Sequence, residues 1–175
     1  MVTLRSGEMW CIGGKSARFT ALDSLDCSVP LESPHAPLDQ LCESERERAT
    51  TTGFCWQRRP ALSLPEKRWG HDSALLRDNV LVVGGTVGET RSPTCLLADT
   101  QSGPIPRWLP TASLSGGRAG MVVVPFDGAS ACWSFGGRSD TGAPVDIVEF
   151  FDSRAQTSRW QRASPLRCHG ASSAS

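Results

Sequence analysis

The chain has 175 residues, of which 39% are hydrophobic, and its 18 Lys and Arg residues balance its 18 Asp and Glu residues. This length suits one ordinary domain, and the composition excludes a disordered tail. A chain without net charge or a basic stripe is not expected to bind nucleic acid, and no apolar run approaches the roughly 18 residues that a membrane helix needs. We therefore predict neither a nucleic-acid partner nor a membrane partner.

Seven cysteines are scattered along the chain, at positions 11, 27, 42, 55, 95, 132 and 168. Their number is odd, and they show neither the dense spacing of a disulfide-rich domain nor the CxxC pair of a zinc site. The first residues, MVTLRSGEMWCIGG, lack the basic start and long apolar stretch of a signal peptide. These features predict reduced thiols and a cytoplasmic protein.

The first predicted elements are two strands in TLRSGEMWCIGG, joined by a turn at Ser6-Gly7. A stretch rich in Pro, Ser and Asp follows, and we predict that residues 17–40 form a surface loop inserted into the first copy of a repeat. A third strand is predicted in QLCESE and a fourth in FCWQRR, with the charge run CESERERA as a solvated strand edge. No segment of ten or more residues shows the periodicity and caps of an amphipathic helix.

The same order of elements returns twice. DSALLRDNVLVVGG contains two predicted strands joined at Asp78-Asn79, followed by strands in CLLAD and RWLPTA. GMVVVPFDGASACWSFGG contains two strands with a wider turn around Asp127-Gly128, followed by DIVEFFD and RWQRAS. Short polar and glycine-containing links of this kind are typical of hairpins. Each copy is thus predicted to form four short antiparallel strands.

Two independent markers give the repeat the same period. Gly84 and Gly136 differ by 52 in residue number, and so do the successive tryptophans Trp56, Trp108 and Trp160. Four strands at a step of about 50 residues are the signature of a β-propeller blade, because one such sheet has two apolar faces that only neighbouring sheets can cover. We predict that the tryptophans pack between blades. The glycine pairs Gly13-Gly14, Gly84-Gly85 and Gly136-Gly137 are predicted to permit backbone conformations or close packing that a Cβ would block.

The order of motifs resembles the kelch repeat. The stretches that carry the resemblance are RWGHDSALL, VLVVGG, IVEFFD and RW, and the third copy fits best, since CLLADT lacks the glutamate. The resemblance implies an all-β fold, a partial kelch-type propeller of about three blades. Blade 1 spans about 1–66 with an insertion at about 17–40, blade 2 about 67–116 and blade 3 about 117–166, with the start of a further blade at 167–175.

Three blades cannot close a ring, because propellers typically need about four to eight. An open wedge would expose apolar faces larger than soluble monomers usually tolerate. We therefore expect the chain to be a piece of a longer protein, the translation of a partial gene model, or a protein that completes its ring by self-association.

One edge of the propeller gathers the loops that follow each glycine pair and the links between blades. Loops on a rigid scaffold often carry recognition, and arginines suit acidic peptides, so we predict a basic partner-binding face there. Its candidate residues are Lys15, Arg18, Arg68, Trp69, His71, Arg91, Arg118, Arg138, Asp140 and Arg167. A structural role remains open for Arg68, Arg118 and Arg167 at the blade entrances and for His71 and His169, and Trp69 fits either an exposed anchor or a loop plug.

The sequence shows no catalytic constellation. Kelch-like copper oxidases resembling galactose oxidase and sialidase-type propellers require tyrosines, and this chain has none. Its three histidines form no metal pair, and no phosphate loop, nucleophile elbow or dinucleotide fingerprint is present. We predict a protein-interaction module without enzymatic activity, metal or cofactor. The alternatives are the accessory propeller of a larger enzyme or ubiquitin-ligase adaptor, whose other domain lies outside this chain, and a self-associating assembly domain.

Overall fold

The computed structural model describes residues 1–18, 20–33, 36, 38–100, 106–155 and 159–166. The fold is all-β and propeller-like, with three four-stranded antiparallel meanders side by side and one α-helix in the described part. In each meander the strands lie in sequence order, because each hairpin or short link returns the chain beside the strand just completed.

The first sheet contains β1 (Val2–Thr3), β2 (Met9–Lys15), β3 (Ala21–Pro30) and β4 (Phe54–Arg58). The turn predicted at Ser6-Gly7 is confirmed, with Gly7 at φ 86° and its N–H donating to the Leu4 carbonyl at 3.0 Å. Strand β3 pairs with both β2 and β4, so it occupies the third-strand position of this sheet in space and lies between its two neighbours.

Two predictions for this first copy are wrong. Residues 21–30 were expected in a surface loop at 17–40, but they form β3, in which Leu25, Cys27 and Val29 alternate along the buried face. The segment predicted as the strand QLCESE, with CESERERA as a strand edge, instead leads into the α-helix α1 (Glu43–Thr52). The extra segment of this copy therefore lies between β3 and β4, and it also contains a short 3-10 helix at Leu38–Gln40.

Helix α1 is held by its ends more than by its packing. The Glu45 side chain accepts a hydrogen bond from the Cys42 backbone N–H at 3.0 Å, and Gly53 ends the helix at φ 78°. Such capping satisfies backbone groups that the first and last turns leave without partners. Only Ala49 of this helix is buried, so the absence of an amphipathic pattern in the sequence did not exclude a helix.

A 3-10 helix at Pro60–Leu62 and the strand β5 (Arg68–Trp69) lead into the second sheet. This sheet contains β6 (Asp72–Leu76), β7 (Asn79–Val83), β10 (Cys95–Asp99) and β11 (Arg107–Thr111), and β8 (Thr86–Val87) and β9 (Thr90–Arg91) form a small hairpin after β7. The β6–β7 hairpin is confirmed, but its two turn residues are Arg77 and Asp78. Its predicted turn is thus displaced by one residue, and Arg77 takes a positive φ of 58°.

The third sheet contains β12 (Val122–Phe126), β13 (Ala131–Phe135), β14 (Val148–Asp152) and β15 (Gln161–Arg162). The wider turn predicted around Asp127-Gly128 is confirmed, since four residues separate β12 from β13 and Asp127, Gly128 and Ala129 all have positive φ. The predicted third and fourth strands of the second and third copies are likewise present.

The sheets pack through two apolar clusters, one at each junction. Val80 and Val82 of β7 face the first sheet, whereas Leu81 and Val83 face the third, so one strand with period-2 alternation serves both junctions. The Trp108 indole N–H donates to the Leu62 carbonyl at 2.8 Å. In the same way the Trp160 indole N–H donates to the Ala112 carbonyl at 3.1 Å.

The predicted packing of tryptophans between sheets is therefore present at two of the three positions. Trp160 is 8% exposed, whereas Trp56 is 41% exposed because no earlier sheet covers it in the described structure.

The six paired glycines repeat one backbone conformation. The first of each pair, Gly13, Gly84 and Gly136, has φ of 55° to 60°, and the second, Gly14, Gly85 and Gly137, has φ of 98° to 108°. These values lie where L side chains are strained, which gives a physical reason for glycine at these sites. The shared geometry supports three copies of one structural unit.

Candidate functional site

The segments after the glycine pairs and the links before the second and third sheets share one edge, which we call the rim (residues 15–18, 67–71, 86–91, 117–120 and 138–144). Strand β5 pairs with β8 through Arg68–Val87 and Trp69–Thr86. The equivalent bridge in the next copy joins Ala119 to Arg138. The Gly120 N–H also donates to the Gly70 carbonyl at 2.7 Å, so the rim segments of the second and third sheets form one backbone-paired surface.

Trp69 is the centre of a basic aromatic cluster on the rim. The Lys15 Nζ lies 4.2 Å from the centroid of its ring and the Arg91 Cζ lies 5.4 Å from it. Both distances are within the range of cation–π attraction. Trp69 is half-buried, so its burial does not decide between the exposed anchor and the loop plug that its sequence position left open.

Neighbouring side chains fix the position of Arg91 in this cluster. Its guanidinium donates to the Thr86 hydroxyl at 2.8 Å, and its backbone N–H donates to the Asp140 carboxylate at 2.5 Å. The contact with Asp140 ties the rim of the second sheet to that of the third. Lys15, Trp69, Arg91 and Asp140, predicted separately from three copies of the repeat, thus form one connected group.

Arg68 and Arg118 belong to the interior and not to the predicted contact surface, since each is only 1% exposed. Arg68 donates to the carbonyls of Gly84 at 2.6 Å and Thr94 at 2.9 Å and to the Thr94 hydroxyl at 2.8 Å. Arg118 lies 2.5 Å from the Glu149 carboxylate and 3.1 Å from the Ser134 hydroxyl. A partner could not reach these guanidinium groups, so the prediction of a binding role is wrong for both residues.

Of the remaining predicted cationic residues, some are exposed and the others lie outside the described residues. Arg18 and Arg138 are exposed, and Arg138 donates to the Gly142 carbonyl at 2.8 Å within its own loop. Arg167 and His169 lie outside the described residues. The candidate surface that the structure supports therefore consists of Lys15, Arg18, Trp69, Arg91, Arg138 and Asp140.

His71 is half-buried and lies between two glycine pairs. A Cβ added to Gly13 would lie 2.9 Å from its Cε1 atom, and one added to Gly85 would lie 2.8 Å from its Cβ atom. Its Nδ1 is buried without a hydrogen-bond partner among the described residues. Burial, reinforced by the nearby Arg68 charge and the N-terminus, lowers the pKa of His71 to about 4, against weaker opposing effects of Ile12 and Asp72. His71 is therefore a neutral packing residue here and does not belong to the exposed candidate surface.

His71 should make the protein sensitive to mild acid. Because its folded pKa of about 4 lies below an unfolded value near 6.5, the unfolded chain binds the proton first. Stability should then fall by up to about 3 kcal/mol as the pH drops from 6.5 to 4. Met121 packs against Gly84 and Gly137 at the equivalent position of the third sheet. We expect His71→Met to keep the fold and to remove this pH-dependent loss of stability, as measured by urea unfolding at several pH values. If His71→Met loses as much unfolding free energy between pH 6.5 and pH 4 as the wild type does, His71 is not the cause of the acid sensitivity.

A separate cleft of about 590 Å³ lies at the opposite end of β2, near Glu8, Trp10, Gln57 and Arg59. The Trp10 indole nitrogen and the Gln57 side-chain oxygen are buried there without hydrogen-bond partners among the described residues. Cys27 lies between Trp10 and Gln57 in the sheet. Burial and the nearby Glu8 raise the pKa of its thiol to about 12. Sequence reasoning missed these residues, because they come from β2, β3, β4 and the positions beside them, which meet only in the folded sheet.

No group of three or more His, Cys, Asp or Glu side chains in the described part is placed to hold a metal ion. The six described cysteines form no disulfide. Of the helices described, none has the length and apolar character needed to cross a membrane.

Comparison with models of known protein families finds no match, and no curated protein is similar to the chain in sequence. Solved structures do show a similarity in fold. The chain is similar in fold to YjhT. The structure of YjhT matches with a TM-score of 0.61 and 14% identity, over 93% of this chain and 44% of the YjhT chain. At this identity the likeness to YjhT concerns the fold alone, and the chain spans less than half of the YjhT length.

Proposed function

We propose that this chain is a kelch-type propeller segment that acts as a protein-interaction module and binds an acidic peptide through the rim. The observation that carries the proposal is the cluster in which Lys15 and Arg91 lie against the Trp69 ring. Aromatic and arginine side chains are over-represented among the residues that dominate binding energies at protein interfaces. Placed on paired backbone segments, these groups need little reorganisation to receive a partner.

The balance of charge on the rim favours an acidic partner. Lys15, Arg18 and Arg138 are exposed, and Arg91 is half-buried beside Trp69. The acidic residues of the same surface are Glu89, in the turn between β8 and β9, and Asp140. Asp140 already accepts the Arg91 backbone N–H, so it is part of the scaffold that holds the cluster. An extended acidic peptide could therefore pair its carboxylates with the exposed cations.

Charge reversal on the rim should test this function. We expect the double variant Lys15→Glu/Arg138→Glu to bind a fluorescein-labelled oligoglutamate peptide at least about tenfold more weakly than the wild type, because two attractive contacts become repulsive. The measurement is fluorescence anisotropy at low and physiological salt, where the difference should shrink as salt screens the charges. Arg118 is unsuitable for this purpose, since its buried position would turn the change into a folding defect.

Arg107→Glu is the matched control, because Arg107 is exposed on β11 outside the rim. It reverses one charge on a different part of the surface, where the double variant reverses two on the rim, and its affinity should stay close to that of the wild type. Equal weakening by Arg107→Glu, or binding of oligolysine as tight as that of oligoglutamate, would reject the rim as the acidic-peptide site.

A further inference from the structure

The outward face of the third sheet, which we call the trailing face, is apolar and is not covered by any of the described residues. Val122, Val124 and Phe126 are 56%, 43% and 57% exposed. Beside them the Trp133 ring lies 4.7 Å from the Phe150 ring and 6.2 Å from the Phe135 ring, measured between centroids. Soluble monomers rarely expose a contiguous apolar patch of this kind without a partner for it.

The trailing face repeats, position by position, a face that is already covered. Strand pairing aligns Ala74 with Leu81 in the second sheet and Val124 with Trp133 in the third, and it aligns the neighbouring strands in the same way. The residues of the second sheet that pack beneath the third are Ala74, Leu76, Leu81, Val83, Cys95 and Leu97. Their equivalents are Val124, Phe126, Trp133, Phe135, Val148 and Phe150, all apolar. The trailing face therefore has the pattern of a surface that packs against another sheet of the same build.

The outward face of the first sheet, which we call the leading face, has the complementary pattern. Its residues Trp56 and Arg58 repeat Trp160 and Arg162, and strand pairing places Asp26 opposite Arg58 as it places Glu149 opposite Arg162. The third sheet uses this combination to pack on the second, with the Trp160 indole donating to a carbonyl of the preceding sheet. The leading face thus carries the features of a covering surface, including a tryptophan whose indole lacks a preceding sheet to bind.

We propose that two copies of this chain associate head to tail, with the leading face of each copy covering the trailing face of the other. The three sheets described in each chain give six for two copies, within the four to eight that close a propeller, whereas three copies would give nine. Two copies also approach the length of the YjhT chain, of which one copy spans 44%. At each junction the Trp56 indole would donate to the Ser164 carbonyl, which follows Trp160 by four residues as Ala112 follows Trp108.

Sedimentation velocity and light scattering of the 175-residue chain test this association. The wild type should have about twice the chain mass of 18.8 kDa. Val124→Lys/Phe126→Lys on the trailing face and Trp56→Arg on the leading face should each give monomers, with dissociation constants raised at least about a hundredfold. Leu109→Lys is the matched control, since Leu109 is 46% exposed on β11 and outside both faces. It should leave the dimer intact.

Mixing the two monomeric variants separates loss of contact from loss of fold. An equimolar mixture retains one intact junction, between the trailing face of Trp56→Arg and the leading face of Val124→Lys/Phe126→Lys, so a weak heterodimer should form. A monomeric wild type would overturn the proposal. So would a Trp56→Arg protein that remains dimeric, because a symmetric contact between two trailing faces does not need Trp56. The proposal does not depend on what the rim binds.

Discussion

Replacing Glu149 with leucine should lower the free energy of unfolding by about 3–5 kcal/mol, because the change leaves the Arg118 charge buried without its partner. Glu149 is fully buried, and its carboxylate lies 2.5 Å from the Arg118 guanidinium and accepts the Ser115 backbone N–H at 2.9 Å. Arg118 is only 1% exposed, so solvent water does not reach it to replace these contacts.

The second sheet shows how the same position can be apolar. Strand pairing places Leu96 where the third sheet has Glu149, and the equivalent arginine, Arg68, is satisfied by the Gly84 and Thr94 carbonyls and the Thr94 hydroxyl. The double variant Arg118→Met/Glu149→Leu removes both charges and should recover most of the loss. Urea unfolding followed by tryptophan fluorescence measures all three free energies. Equal destabilisation in the single and double variants would show that the ion pair is not the cause.

Replacing Gly85 with alanine should cost about 2–5 kcal/mol of stability. Gly85 has φ 98°, and an added Cβ would lie 2.8 Å from the His71 Cβ and 2.9 Å from both the His71 nitrogen and the Trp69 carbonyl oxygen. Part of the cost is backbone strain at a positive φ, about 1–2 kcal/mol. The rest, about 1–3 kcal/mol, is overpacking against backbone atoms that cannot turn away.

Gly14 is the matched control for this second change. It occupies the same position in the first sheet with φ 108°, but an added Cβ would meet nothing within 4 Å. Gly14→Ala should therefore show the strain alone, about 1–2 kcal/mol. Because Gly85 touches the Trp69 backbone, Gly85→Ala should also weaken oligoglutamate binding while Gly14→Ala has a smaller effect. Equal unfolding free energies for the two variants would contradict close packing as the reason for the glycine.

Local sequence patterns predicted most of the strands of this protein. The period of 52, the glycine pairs and the turns at Ser6-Gly7 and Asp127-Gly128 each depend on residues close together in the chain. A left-handed backbone needs glycine wherever the fold places it, and alternation of apolar residues produces a two-faced strand before any neighbour is present. The same reasoning explains why the edge shared by the post-glycine segments and the links could be located in advance.

The first copy shows where local patterns were insufficient. Composition alone indicated a loop for residues 17–40, yet this segment forms β3, with Leu25 and Cys27 buried against the second sheet and Val29 buried against α1 and β4. The displaced charge run then became α1, which is stabilised by the contact of Glu45 with Cys42 and by the cap at Gly53. Competition for one place in the sheet decided both assignments, and such competition depends on contacts with β2 and β4 that no local window contains.

Length, composition and the repeat thus determined by themselves that the chain forms successive antiparallel sheets with glycine-marked strand ends and a common loop edge. Only the tertiary structure decided which arginines are available to a partner. Arg68 and Arg118 are buried because acceptors from distant parts of the chain, at Gly84, Thr94, Ser134 and Glu149, replace water around them. Lys15 and Arg91 lie against the ring of Trp69 on the rim, where Lys15 is exposed and Arg91 is half-buried. A guanidinium can be buried only where the fold supplies acceptors in place of water, and otherwise it stays exposed to solvent. Those acceptors come from distant parts of the chain.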